Sequence, residues 1–201
     1  AASSAQAVTT NPARLNIEVT IIQNLSVLVN EFASSTQTVA WNAANPNDRL
    51  VSPSSATVRN DSGAQTERWQ LSTNINSIPA SGADQWTVST DRSAVGAEQF
   101  ALQAVFGSSN TLANGCPAFN SADWDLAAAS EVTTGLQTYT NALFADPNLT
   151  EAGGTPNPDV AGNGRMTAGS KRALCWRVIA PASTVASGVQ NIQLIVTALA
   201  P

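Results

Sequence analysis

Residues 15–30 constrain this chain more than any other stretch. They read Leu-Asn-Ile-Glu-Val-Thr-Ile-Ile-Gln-Asn-Leu-Ser-Val-Leu-Val-Asn. Leu15, Ile17, Val19, Ile21, Leu25, Val27 and Val29 all fall on odd positions, and the even positions are mostly polar. A period of two held this long describes extended backbone with one buried face. Ordinary strands run about 5–6 residues, whereas sixteen extended residues span roughly 50 Å. The ribbon therefore either breaks near Gln23-Asn24 into two strands, or sends one part out of its own domain to pair elsewhere.

The rest of the chain alternates in shorter pieces. Val39 and Trp41 share one face of a segment after Phe32, and a short strand is expected near Thr57-Val58-Arg59. From Thr66 to Ile75, Trp69, Leu71, Thr73 and Ile75 oppose Arg68, Gln70, Ser72 and Asn74. Further strands are expected over 85–90, 99–106, 136–140, 171–179 and 189–199. Asn45-Pro46-Asn47-Asp48, Ser52-Pro53-Ser54-Ser55 and Asn60-Asp61-Ser62-Gly63 are turn signals. Residues 121–129 carry an N-cap and early acids that predict a short helix. Residues 146–169 read as a long loop. Nine or ten short strands separated by turns predict an all-β fold, an antiparallel β-sandwich, immunoglobulin-like or jelly-roll-like. Residues 1–14 are expected to be a flexible N-terminal arm, 15–30 a long ribbon and candidate donor strand, and 31–201 the sandwich body.

Composition narrows the function classes. Charged residues make up 11% of the chain, with no His and a net charge of −5, against about 25% charged in a typical domain. No run of cations exceeds Lys171-Arg172, so the basic footprint of a nucleic-acid binder is missing from the sequence. No apolar run is long enough for a membrane span. The opening Ala-Ala-Ser-Ser-Ala-Gln-Ala resembles the small-residue side of a processed cleavage site. The expectation is a mature extracellular or cell-surface protein whose signal peptide has been removed. Cys116 and Cys175 have no metal-ligand spacing, and an even count in such a chain predicts one disulfide.

Chemistry is sparse. Without His, the Ser-His-Asp and Cys-His arrangements are excluded. Asp123 and Asp125 around Trp124 form the best local carboxylate pair, but acids at a helix start are better explained by the helix dipole. Asp146, Asn148, Glu151, Asp159 and Asn163 offer oxygen ligands for calcium in one loop, with a spacing that fits no calcium-binding pattern. No enzyme activity, metal or cofactor is expected. Asn60 and Asn148 head accessible glycosylation patterns, while Asn24 lies within the ribbon. Trp41, Trp69, Trp86 and Trp176 are expected in the core. Trp124, between two acids, is a candidate glycan contact.

The N-terminal ribbon, the sandwich-like body and the polar, weakly charged composition together resemble the exported β-sandwich subunits of prokaryotic surface fibres. Chaperone–usher pilins and the camelysin/TasA-like group are examples. The resemblance is architectural, and fourteen residues precede the ribbon here where such pilins begin with theirs. It implies a structural subunit of an extracellular filament, pilus or surface layer, a homopolymer assembled head to tail by inter-subunit strand addition. The donor would be Leu15–Ile21, or in its place Leu25–Val29. Against this stand a strand that bends between the two sheets of one monomer, and a secreted carbohydrate-binding or adhesive module with glycans as partners.

Overall fold

The computed structural model describes residues 15–21, 27–29, 37–41, 45–75, 86–107, 116, 131–139, 144, 165–185 and 190–200. For 15–21, 27–29, 37–41 and residue 75 it describes the backbone. Among these residues the fold is all-β with no helix. The strands in chain order are β1 (Leu15–Ile21), β2 (Val27–Val29), β3 (Gln37–Trp41), β4 (Arg49–Val51), β5 (Ala56–Asn60), β6 (Glu67–Ile75) and β7 (Thr87–Val88). They continue with β8 (Gln99–Phe106), β9 (Glu131–Val132), β10 (Gln137–Thr138), β11 (Arg165–Met166), β12 (Lys171–Ile179) and β13 (Gln190–Leu199).

Two sheets result. The first runs β10-β6-β13-β1-β3, with β11 also on β6. The second runs β2-β5-β12-β8-β7, with β4 on β12 and β9 on β8. Only β1–β13 and β7–β8 are parallel; every other described pairing is antiparallel. This arrangement is consistent with a β-sandwich. Alternation explains the packing: Trp69 and Leu71 of β6 and Ile192, Leu194, Val196 and Ala198 of β13 meet Ala56, Val58, Phe106, Leu174, Trp176 and Val178 of the second sheet in one core. Tilted aromatic contacts join Trp69 to Phe106 at 5.3 Å and Phe106 to Tyr139 at 4.7 Å between ring centroids, geometries that add to the burial energy.

The second sheet is buried on both faces at its centre. Behind the core face, Val105, Cys175 and Cys116 form a second apolar cluster with Val51, and Val95, Ala101 and Ile179 a third. The expected disulfide joins Cys116 to Cys175, with an S–S distance of 1.97 Å. On the same outer face Arg177 is 1% exposed, and its guanidinium donates from Nε and Nη2 to Oε1 of Gln103, the Nε bond being 2.9 Å. A buried charge needs such hydrogen bonding to be tolerated.

The sequence reading requires three additions. The segment expected as a loop over 146–169 ends in β11, which pairs with β6. Strands β4 and β9 fall where turns or irregular chain were expected. The helix expected over 121–129 and the arm over 1–14 lie outside the described residues.

Candidate functional site

The ribbon divides into two strands that join different sheets. β1 lies between β13 and β3, and β2 pairs with β5. Leu15, Ile17, Val19 and Ile21 stand in register with Gln190, Ile192, Leu194 and Val196. On the other side Leu15, Ile17 and Val19 stand in register with Trp41, Val39 and Gln37. Val27 and Val29 stand opposite Asn60 and Val58. Leu25 lies outside the described residues. Within one chain, therefore, the backbone of β1 is hydrogen-bonded on both edges, and seven consecutive positions keep register with the C-terminal strand.

Asn60 is where the structure departs from an accessible glycosylation acceptor. Its side chain is 0% exposed. Nδ2 donates to the carbonyls of Gln65 and Met166, both at 2.8 Å, and Oδ1 accepts from the Ser62 amide at 2.9 Å. Its backbone takes part as well: Asn60 N donates to Ser170 O, and Gly169 N donates to Asn60 O. Gly169 holds φ at +78° in that turn, a region open to glycine without steric cost. Both Nδ2 hydrogens are thus committed inside the fold, and a sugar on that nitrogen would displace them. Asn60 is a structural clamp joining β5, β11 and the start of β12. Replacing it with alanine removes three hydrogen bonds, to the buried Met166 carbonyl, the Gln65 carbonyl and the Ser62 amide, at about 2–3 kcal/mol in total. The expected result is a thermal midpoint lower by about 5–10 °C; an unchanged midpoint in a melting curve would contradict the clamp.

Asn148, Trp124, the Asp123 and Asp125 pair and the proposed calcium loop lie outside the described residues. Trp69, Trp86 and Trp176 are buried as expected. Trp86 adds a polar connection: its Nε1 donates to Thr184 Oγ1 at 2.9 Å, and that hydroxyl donates to Glu98 Oε2 at 2.8 Å. Glu98 Oε1 also accepts from Val185 N. This carboxylate holds residues 184 and 185 against the start of β8, and the Glu98 amide donates to the Ser183 carbonyl at 2.9 Å.

Glu67 is a buried carboxylate, 1% exposed on the same side of β6 as Trp69 and Leu71. Neither of its oxygens has a hydrogen-bond partner. Burial pushes its pKa above the ordinary 4.5; the nearby Trp69 indole pulls partly back without forming a well-aligned bond, and the charge of Asp61 adds to the rise. The sign follows from linkage: a carboxyl group whose folded-state pKa is raised favours folding when protonated. Its contribution is present below 4.5 and is lost as pH rises through the raised value. Glu67→Gln is expected to flatten that part of the stability–pH curve. Urea unfolding between pH 4 and 7 measures this, and a variant with the wild-type pH slope would exclude Glu67 as its source.

No protein-family model matches the chain, and no curated protein sequence does. No helix among the described residues is long and apolar enough to cross a membrane. The disulfide is compatible with secretion.

Proposed function

We propose that the chain is a structural, non-catalytic subunit of an extracellular filament, pilus or surface layer, joined head to tail by strand addition with β1 as the exchanged strand. One observation supports this reading above the others: the placement of β1. It sits in the interior of its sheet and makes the only long parallel ladder among the described residues. Because β1 runs parallel to β13 and antiparallel to β3, β3 itself runs antiparallel to β13. Removing β1 leaves β13 and β3 as two oppositely directed open edges of the first sheet and leaves the pairings of the second sheet untouched. A strand that fills a groove between two open edges is suited to be supplied by a neighbour. The polar, weakly charged surface lets subunits pack without opposing like charges.

Negative-stain electron microscopy of the natively purified protein, beside its size-exclusion profile, tests the proposal. Regular fibres or sheets that disappear when residues 1–22 are deleted are the expected result. A monodisperse particle near 20.7 kDa would overturn it.

A further inference from the structure

The fold gathers cations that the sequence keeps apart. Arg59, Arg68, Arg165, Lys171 and Arg172 lie where β5 ends and β6 and β12 begin, around the Asn60 clamp. Two pairs are like charges set directly opposite on neighbouring strands: Lys171 with Arg59 on the second sheet, and Arg165 with Arg68 on the first. Directly opposed like charges destabilise a sheet. Such an arrangement in a chain with nine cations calls for a compensating anion.

The two pairs differ in how they are compensated. Arg59 has Asp61 at 3.5 Å. No acid pairs with Arg68 or Arg165 among the described residues. Glu67 is next to Arg68 in sequence, but alternation sends it to the core side of β6, so it does not face the pair. Arg68 is half-buried, and its Nε is buried with no hydrogen-bond partner, while Arg165 is exposed. The same outer face carries Gln70 with its Nε2 donating to Thr138 Oγ1 at 3.1 Å, and Leu199 of β13 stands opposite Arg68.

We propose that Arg68 and Arg165 form a binding site for an oxyanion, a sulfate, phosphate or carboxylate group. Two guanidinium forks on adjacent strands present planar donor pairs that match such groups. The anion neutralises the opposed charges. The site goes beyond the assembly role and stands or falls independently of it. The anion is either free in solution or carried on an acidic polymer, and the chemistry of the contact is the same for both.

The test is a titration followed by NMR of the arginine Nε–H resonances and by thermal melting. Inorganic sulfate and dextran sulfate are added against chloride at matched ionic strength, which controls for screening. The expected result is a saturable shift of the Arg68 Nε–H and a thermal midpoint raised by about 3–6 °C at about ten times the dissociation constant. In R165Q the affinity falls at least about tenfold, the cost of a lost charge-assisted hydrogen bond. R49Q, at the opposite end of β12, leaves it unchanged. R165Q without anion is expected to melt at or above the wild-type temperature, since it relieves the opposed charges. A response to dextran sulfate alone would support the site and assign the anion to a polymer. The proposal is overturned by an equal response to chloride, by an undiminished response in R165Q, or by a lower midpoint of anion-free R165Q.

Discussion

Replacing Cys116 and Cys175 together with alanine is expected to lower the stability of the fold by about 4 kcal/mol. The bridge closes a loop with a sequence separation of 59 residues, and the chain-entropy model assigns about that much to a loop of this length. Packing adds to the loss. Both half-cystines are buried, and Cys175 sits at the centre of β12 against Val105, with Val51 beside them. The cross-link therefore ties residue 116 to the outer face of the second sheet, the face that also buries Arg177. Removing it frees the unfolded chain and loosens the apolar cover of Val105 and Val51 on that face. Urea unfolding should show a lower midpoint, with a slope at least as steep because the unfolded chain is more open. The thermal midpoint should fall by about 8–16 °C. A loss below about 1 kcal/mol would mean that other contacts hold that face closed.

The outer face also shows where the sequence was readable and where it was not. Strands β6, β8, β12 and β13 were visible because eight to ten residues of unbroken alternation or apolar run leave no competing period. Strands β4, β9 and β11 are two or three residues long, too short to have a period at all. Burial of both faces of β12 was hinted at by Ala173-Leu174-Cys175-Trp176, an apolar run rather than an alternation. Arg177 then argues against it, because nothing local announces that Gln103, on another strand, will receive its guanidinium. The same limit applies to Asn60. A glycosylation pattern is three residues long, whereas the acceptors that occupy its amide include Met166, 106 positions away. Arg68 and Arg165 likewise become neighbours only through the β6–β11 pairing. A search along the chain for clustered cations finds Lys171-Arg172 and passes over the pair that the fold brings together.

A chain lacking residues 1–22 is expected to stay folded, to lose the ability to polymerise, and to bind a synthetic peptide of residues 15–22 added in trans. The argument rests on what the rest of the sheet does when β1 leaves. β1 holds seven register positions against β13 and five against β3, and deletion exposes those two facing edges. Unpaired edges are costly and prone to association, but β3 and β13 run in opposite directions, so closing the gap between them would give an antiparallel pair. Such a body is stable enough to purify and still reopens for a strand that buries more. A peptide binding there gains main-chain hydrogen bonds on both sides at once, which edge addition to one strand does not provide. At about a hundred times its dissociation constant it should raise the thermal midpoint by roughly 5–10 °C. A peptide with proline at the adjacent positions 17 and 18 loses a donor on each side, because successive N–H groups point to opposite neighbours, and should have no effect. If the truncated chain is unfolded and no peptide rescues it, β1 is an integral strand of the monomer and assembly by its exchange is excluded. If the truncated chain folds, ignores the peptide and still polymerises, the subunits join through a different surface.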